Sequence, residues 1–445
     1  MALAVVAFGI AVAPGMRALA QSADAEPAAT AAIADDDQMT RFGSTGDAIE
    51  GRINAPEAPM DGAGAANRDD GEATGVRLGG FVLRPSLQQS IKGQKTTNGD
   101  RSERRTYLET GIRGTLTSDW SRHELSLNGE SILQKNLKGD LSTDPASRLD
   151  AALRLDLPAE TTATVTGSYA INREDNDDPN AIPGASAQSD VQTLTGGLAL
   201  QRNLGRIRGL IGVDVERTTY SSVRLSDGTR LDLSDRDRNA YGIRGRLGYE
   251  LSPALVPFLE ASFRKTVYDS EQDANGFRRS SDSYAMRSGV EVDLGEKLRG
   301  EIGIGYETVS YDDTRLTEVS GLTLDGRLNW SPRRGTNVAA GLSTLVEDST
   351  APGESGGIVY RFNSEIAHEL RDDLVARLSG ATTWRRYPSG SLISNSTTYA
   401  AGTGLTYKVN RYLELNGSLD YEWTRREAGS NSSDLTAGVG LTLKR

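Results

Sequence analysis

The 445-residue chain has no cysteine and only two histidines. The first absence excludes disulfide frameworks, thiolate metal sites and thiol nucleophiles together. The second leaves little material for imidazole chemistry. Aromatic residues make up 6% and hydrophobic residues 37%, so an ordinary apolar share is reached only by adding the 49 glycines. No apolar run reaches the roughly 18 residues that a membrane-crossing helix requires. Basic residues are outnumbered 50 to 61, and a net charge of −11 argues against nucleic acid as a partner.

The deficit of large side chains is most extreme at the start of the chain. Residues 1–20 read as a secretory signal peptide: an apolar stretch from Leu3 to Val12 precedes Ala18-Leu19-Ala20, a small-residue cleavage pattern before Gln21. Residues 21–78 read as a disordered acidic periplasmic tail. Within 21–75 twelve carboxylates face only Arg41, Arg52 and Arg68, a charge of −9 on a segment that cannot bury a core. With Arg17 in the leader, only −3 is left for 76–445. The third unit, 79–445, carries the fold.

What that unit does have is alternation. In Arg148-Leu149-Asp150-Ala151-Ala152-Leu153-Arg154-Leu155-Asp156-Leu157 the odd positions are apolar and the even ones, Ala152 apart, are charged. A strand sends successive side chains to opposite faces, so one face is greasy and the other polar. The pattern recurs over Tyr241–Leu251, Tyr284–Leu294, Leu322–Trp330, Tyr399–Val409 and Leu413–Trp423. About eighteen such segments, with 16–18 as the range, run from 80–92 to 433–445 at about 9–13 residues each, the length of a tilted membrane strand. The connections are expected to alternate between short, such as Asn203-Leu204-Gly205 or Asn410-Arg411, and long, such as Asn172 to Ser189 and Ser221 to Asp237. Short periplasmic turns opposite longer outer loops mark an outer-membrane barrel. The expected fold is all-β: a transmembrane antiparallel up-and-down β-barrel, closed because an open sheet edge is not viable in lipid.

The few aromatic residues fit the same frame. Trp120, Tyr249, Trp330 and Tyr407 fall near one set of strand ends; Tyr169, Tyr241, Tyr284, Tyr360, Trp384, Tyr399 and Trp423 fall near the other. Two rings of amphipathic side chains at the headgroup levels are the expected girdles. Tyr107, Tyr220, Tyr268 and Tyr311 are assigned to the outer ring, and Tyr412 to the inner one, on the same ground of position.

By parity the pore-lining candidates are Arg148, Asp150, Arg154, Asp156, Arg244, Arg246, Glu250, Arg299, Glu301, Asp325, Arg327, Arg361, Glu365, Arg377 and Arg385, joined by Arg208, Asp214, Glu216, Arg287, Glu291 and Asp293. Mixed signs fit both a cross-strand ion-pair lattice and a weakly selective polar conduit. Asn172–Ser189 and Ser221–Asp237 are long enough to fold inward as a constriction. His123 and His368 share parity with apolar neighbours and fit interfacial positions better than a barrel-borne hydrolase. Glu174-Asp175-Asn176-Asp177-Asp178 lacks the glycine and terminal glutamate of a calcium loop. Gly303-Ile304-Gly305 and Gly438-Val439-Gly440 lie within strands and are not phosphate loops. No catalytic, metal or cofactor site is expected.

Gly79-Gly80-Phe81-Val82-Leu83-Arg84-Pro85-Ser86-Leu87 after an acidic linker resembles the opening of the β-barrel porin type 2 family of Gram-negative outer membranes. Trp120-Ser121-Arg122-His123, Tyr249-Glu250-Leu251-Ser252-Pro253, Leu298-Arg299-Gly300-Glu301, Asn329-Trp330-Ser331-Pro332 and Asn410-Arg411-Tyr412-Leu413 resemble its turn-and-strand phrases, in order, over about 80–445. One departure is the ending Leu441-Thr442-Leu443-Lys444-Arg445, where many such barrels carry a terminal aromatic. The resemblance implies a barrel in the cell outer membrane. The expected function is a porin-like passive channel for small polar solutes, ions or saccharides. The alternative is a non-conducting structural or assembly barrel linked to surface polysaccharide export. Expected partners are outer-membrane lipid and lipopolysaccharide, and the barrel-insertion machinery during biogenesis. No homo-oligomer interface is legible.

Overall fold

The computed structural model describes residues 75–139, 143–174 and 180–445. The expected signal peptide, nearly all of the acidic tail, and Asp175 to Asp178 lie outside the described residues.

Eighteen antiparallel strands form one closed barrel: β1 Phe81–Asn98, β2 Arg101–Ser118, β3 His123–Lys138, β4 Ala146–Leu157, β5 Thr161–Arg173, β6 Asp190–Leu204, β7 Ile207–Tyr220, β8 Arg238–Tyr249, β9 Leu255–Tyr268, β10 Ser281–Asp293, β11 Leu298–Tyr311, β12 Val319–Arg333, β13 Thr336–Asp348, β14 Gly356–Arg371, β15 Leu374–Arg386, β16 Ser396–Asn410, β17 Leu413–Arg426 and β18 Ser432–Lys444. Each pairs with its neighbour in sequence, and β18 returns to β1 from Ser86↔Lys444 to Asn98↔Ser432. Arg445 N–H donates to Pro85 O at 3.1 Å, so the proline lies where β18 runs out. There it forfeits little of the ladder.

Alternation explains the burial. On β7, Ile211, Val213 and Val215 are exposed on the outside, while Arg208, Glu216 and Thr218 are buried on the inside. Buried residues are therefore mostly polar or charged, and the described residues hold a single small buried apolar cluster. In lipid the exposed aliphatic face needs no core to cover it. Stability rests instead on satisfying every backbone donor and acceptor within the ladders.

The two rims differ. One has turns as short as Gly205–Arg206, Arg334–Gly335 and Asp372–Asp373. The other carries the long connections 174–189, 221–237 and 269–280, with one exception to the expected alternation. The β1–β2 ladder continues to Asn98↔Arg101, leaving only Gly99 and Asp100 where a long loop was expected. Loops 174–189 and 221–237 share a three-stranded sheet above the rim, with Arg224↔Ala187 and Val223↔Leu231 as partners.

One junction departs from the regular wall. The β12–β13 ladder runs from Arg333↔Thr336 to Gly326↔Leu342 and stops. Both strands continue: β12 stays with β11 up to Val309↔Val319, and β13 stays with β14 up to Asp348↔Gly356. Above the break the tip of the β13–β14 hairpin lies inside the barrel. Val346 and Ile358, outward by parity, pack on Val309 and Val319, which line the inner wall. Gly321 makes this overlap feasible, since a Cβ there would stand 2.3 Å from Ile358 Cδ1.

Candidate lumen lattice and constriction

Below the tip, β7 to β12 carry an interlocked lattice on their inner faces. Arg208 pairs with Glu291 at 2.7 Å. Arg246 reaches Glu260 at 2.6 Å, Glu301 at 2.8 Å and Glu291 at 3.4 Å. Arg287 binds Glu260 and, at 2.8 Å, Asp325. Arg246 also lies 4.0 Å over the Phe258 ring. The guanidinium fork can serve several carboxylates at once, whereas an ammonium is a point charge. Arg246 faces Glu260 across the ladder and also bridges Glu291 and Glu301, two carboxylates that stand directly opposite each other on neighbouring strands.

Other candidates fall into smaller groups. Arg148 pairs with Asp150 at 2.7 Å; Arg154 lies between Glu124 at 3.7 Å and Asp156 at 3.4 Å. Arg377 meets Glu365 at 3.9 Å and donates to Thr406 at 2.9 Å; Arg385 binds Glu347 at 3.0 Å. Arg361 is nearly buried on β14, and Arg327 stands opposite Glu301 in the β11–β12 ladder. Arg244 lies against the backbone of Gly212. Arg299 pairs with Asp293 at the short-turn rim, where Glu250 sits beyond the end of β8. A separate group on β1 to β3, the buried pair Lys92–Glu109 at 3.2 Å and the half-buried pair Arg113–Glu130 at 2.7 Å, was not among the expected pore residues. Its parity was legible, but its alternation is diluted by Gln88, Ser90 and Gln94.

The girdle divides. Trp120, Tyr169, Tyr241, Tyr249, Tyr284, Trp330, Tyr399, Tyr407 and Tyr412 are exposed. Trp384 is half-buried, Trp423 stacks on Tyr399 at 5.8 Å, and Tyr360 is turned to the β12–β13 break. Tyr107, Tyr220, Tyr268 and Tyr311 correct the assignment by position, because they point inward. Tyr107 is fully buried with the Arg105 guanidinium 4.2 Å above its ring. Tyr220 lies 5.9 Å from both Arg236 and Arg238. Tyr268 and Tyr311 each donate to the Asp348 carboxylate at 3.4 Å. Nearness to a strand end does not fix which face a ring occupies; parity does.

Length alone left open which loop folds inward; among the described residues the short connection 349–355 does. Arg279, almost wholly buried, holds it by donating to Ser349 O, to Glu354 O at 2.8 Å and to Ala351 O at 2.8 Å, with Asp273 at 2.5 Å as counter-ion. Asn180, from loop 174–189, donates to Asp348 O at 3.0 Å and accepts Thr350 N–H at 2.8 Å. The tip turns at Gly356 with φ 131°, where a Cβ would meet Glu347 O at 2.4 Å. Burial works against the Asp273 charge, yet the Phe277 N–H and Arg279 outweigh it and hold the carboxyl below its usual range. Burial pushes the Glu174 carboxyl up to about 7 against the pull of Arg236, 3.4 Å away, and Arg238.

His123 Nδ1 accepts Asp156 N–H at 3.2 Å, and His368 sits 2.9 Å from Thr336 Oγ1 at the short-turn rim. Among the described residues neither is hydrogen-bonded to a serine. No group of three potential metal ligands occurs among the described residues.

Residues 69–445 match the family model described as "Putative beta-barrel porin 2". No curated protein matches the chain. Among solved structures, the outer membrane protein OpdK from Pseudomonas aeruginosa is 11% identical, with 82% of this chain and 99% of that chain covered at a TM-score of 0.39. OccK8 (OprE) of the same organism is 12% identical, with 82% and 100% covered at 0.40. The copper transporter OprC is 13% identical, with 83% and 81% covered at 0.42.

Proposed function

The chain belongs to the beta-barrel porin 2 family and is a porin-like outer-membrane β-barrel; from that premise we propose that it is a passive channel for small polar solutes, ions or saccharides. The observation that carries this reading is the continuous belt of paired arginines and carboxylates on the inner faces of β7 to β12. A barrel of this strand number has room for an aqueous lumen. A charged inner wall is expected where water, not lipid, is the neighbour. Solute diffuses past groups that exchange hydrogen bonds with it, and the neutralised pairs give little preference for either ion sign. The inward tip at 349–355 sets the narrowest passage in this reading. The short-turn rim and the tail lie in the periplasm and the long loops outside. Lipid and lipopolysaccharide surround the apolar belt, and the insertion machinery acts during biogenesis.

Planar-bilayer recording of the refolded chain tests the proposal. Stable single-channel steps with a reversal potential near zero in a salt gradient are expected. A barrel that is folded but silent would overturn conduction and leave a structural or assembly role.

A further inference from the structure

Beyond axial conduction, we propose that the β12–β13 junction is a lateral port, through which an amphipathic solute with a single alkyl chain passes between the lumen and the outer leaflet. The wall there is lapped, not laddered. Beyond the Gly326↔Leu342 pair β12 has no β13 ladder partner, while both strands remain paired on their other sides. Side chains cap part of the backbone that the break frees. The Thr344 hydroxyl accepts Leu324 N–H at 2.8 Å and donates to Leu324 O at 2.9 Å. Asp325 accepts Thr344 N–H at 3.1 Å, and Tyr360 OH donates to Leu322 O at 2.9 Å. An unsatisfied backbone group in hydrocarbon costs several kcal/mol, so a bare gap would not persist. Hydroxyl caps close it, yet they release by rotation of a side chain without pulling two strands apart.

The lining points to the solute. Val309, Val319, Val346 and Ile358 form an apolar cluster at the inner wall, where most other buried side chains are polar or charged. It lies beside the break, where Leu322 on β12 faces the membrane. At its lower edge Asp325 joins the port to the lattice through Arg287 at 2.8 Å. An alkyl chain fits the patch and the lipid beyond it, while a polar head stays among the lattice charges. A sugar or an inorganic ion would gain nothing from the valines.

The chain has no cysteine, so Val319→Cys with Val346→Cys places a unique pair across the lap for a short bis-maleimide. Full-length protein in vesicles is assayed with a fluorescent dodecyl sulfonate, whose fixed charge prevents flipping through bare lipid. Exchange about tenfold faster than in protein-free vesicles is expected, a barrier lowered by roughly 1.4 kcal/mol. Crosslinking should return it to the protein-free rate and leave ion conductance unchanged. Exchange that ignores the crosslink, or that never exceeds the protein-free rate, overturns the port. Crosslink-sensitive exchange without ion conductance supports the port and overturns the axial channel. Should the cysteine pair fail to fold, Thr344→Val supplies a second arm: loss of the cap is expected to speed exchange, and an unchanged rate overturns the proposal.

Discussion

Two junctions in the wall invite comparison: the closure between β18 and β1, and the β12–β13 junction. The closure joins the most distant parts of the barrel, yet its ladder is complete from Ser86↔Lys444 to Asn98↔Ser432. The β12–β13 strands are joined by the turn Arg334–Gly335, yet their ladder fails halfway. Closeness in sequence therefore does not decide where a barrel holds. At the closure, small residues let the backbones meet. At the break, a competing set of contacts, Arg279 on the tip and valines behind it, offers the hairpin a better place than its neighbour's edge.

The largest expected effect comes from removing that competitor. Arg279→Ala removes the counter-ion of Asp273 and the guanidinium that donates to three tip carbonyls, a loss of about 3–5 kcal/mol by analogy with broken buried pairs. Limited proteolysis should then nick 349–355, and single-channel conductance should rise; a tip that stays protected refutes its dependence on Arg279. The next effect sharpens the contrast. A Cβ at Gly440 in the closure meets Ser90 Cβ at 2.6 Å and Gln89 O at 2.7 Å, whereas at Gly321 the one close approach is to the far end of Ile358, at 2.3 Å. Gly440→Ala should cost about 1–3 kcal/mol and Gly321→Ala less, because a side-chain end yields where a backbone does not. Urea titration in detergent micelles measures both, and equal losses would erase the distinction.

Smaller still is the loss of one cap. Thr344→Ala strands the Leu324 amide, worth about 1–2 kcal/mol. Hydrogen exchange at Leu324 should accelerate while amides in the closure ladder do not, and uniform acceleration would show that the break is nothing special. The smallest effect is the pH response of the loops above the tip. Glu174 is raised from 4.5 to about 7, so the folded arrangement binds the proton more tightly than the unfolded one. Stability of that cluster is accordingly gained as pH falls from about 7 toward 4.5, and is lost on the way back up. Conductance should decrease with acidification over this window. Glu174→Gln, fixed in the neutral form, should flatten the response; an unaltered profile assigns the titration elsewhere.

Much of this was legible in the alternation. Period two gave the strands, their number and the inward set that includes Arg246, Glu301 and Asp325. It also contained the correct face for Tyr107, whose neighbours two positions away are Arg105 and Glu109. For the inward tyrosines, position along the strand and parity point to different faces, and parity decides. The constriction was only half legible: Ser343-Thr344-Leu345-Val346-Glu347-Asp348 loses the alternation and puts Thr344 and Asp348 at outward parity, but that loss does not say where the tip goes. The glycines at 353, 356 and 357 hint only at a tight turn. What draws that turn inward is an arginine about seventy residues earlier on another strand connection.

The shortage of cysteine, histidine and long apolar runs, together with the two-residue period, determined by itself that this chain forms a lipid-facing barrel with a charged interior. That follows because local sterics and the contrast between lipid and water act on each residue without reference to distant ones. Only the tertiary structure decided which pairs the inner charges form, which hairpin tip turns inward and where one ladder of the wall stops. Those outcomes depend on contacts between strands that the sequence separates, and neither composition nor period encodes the distance between them.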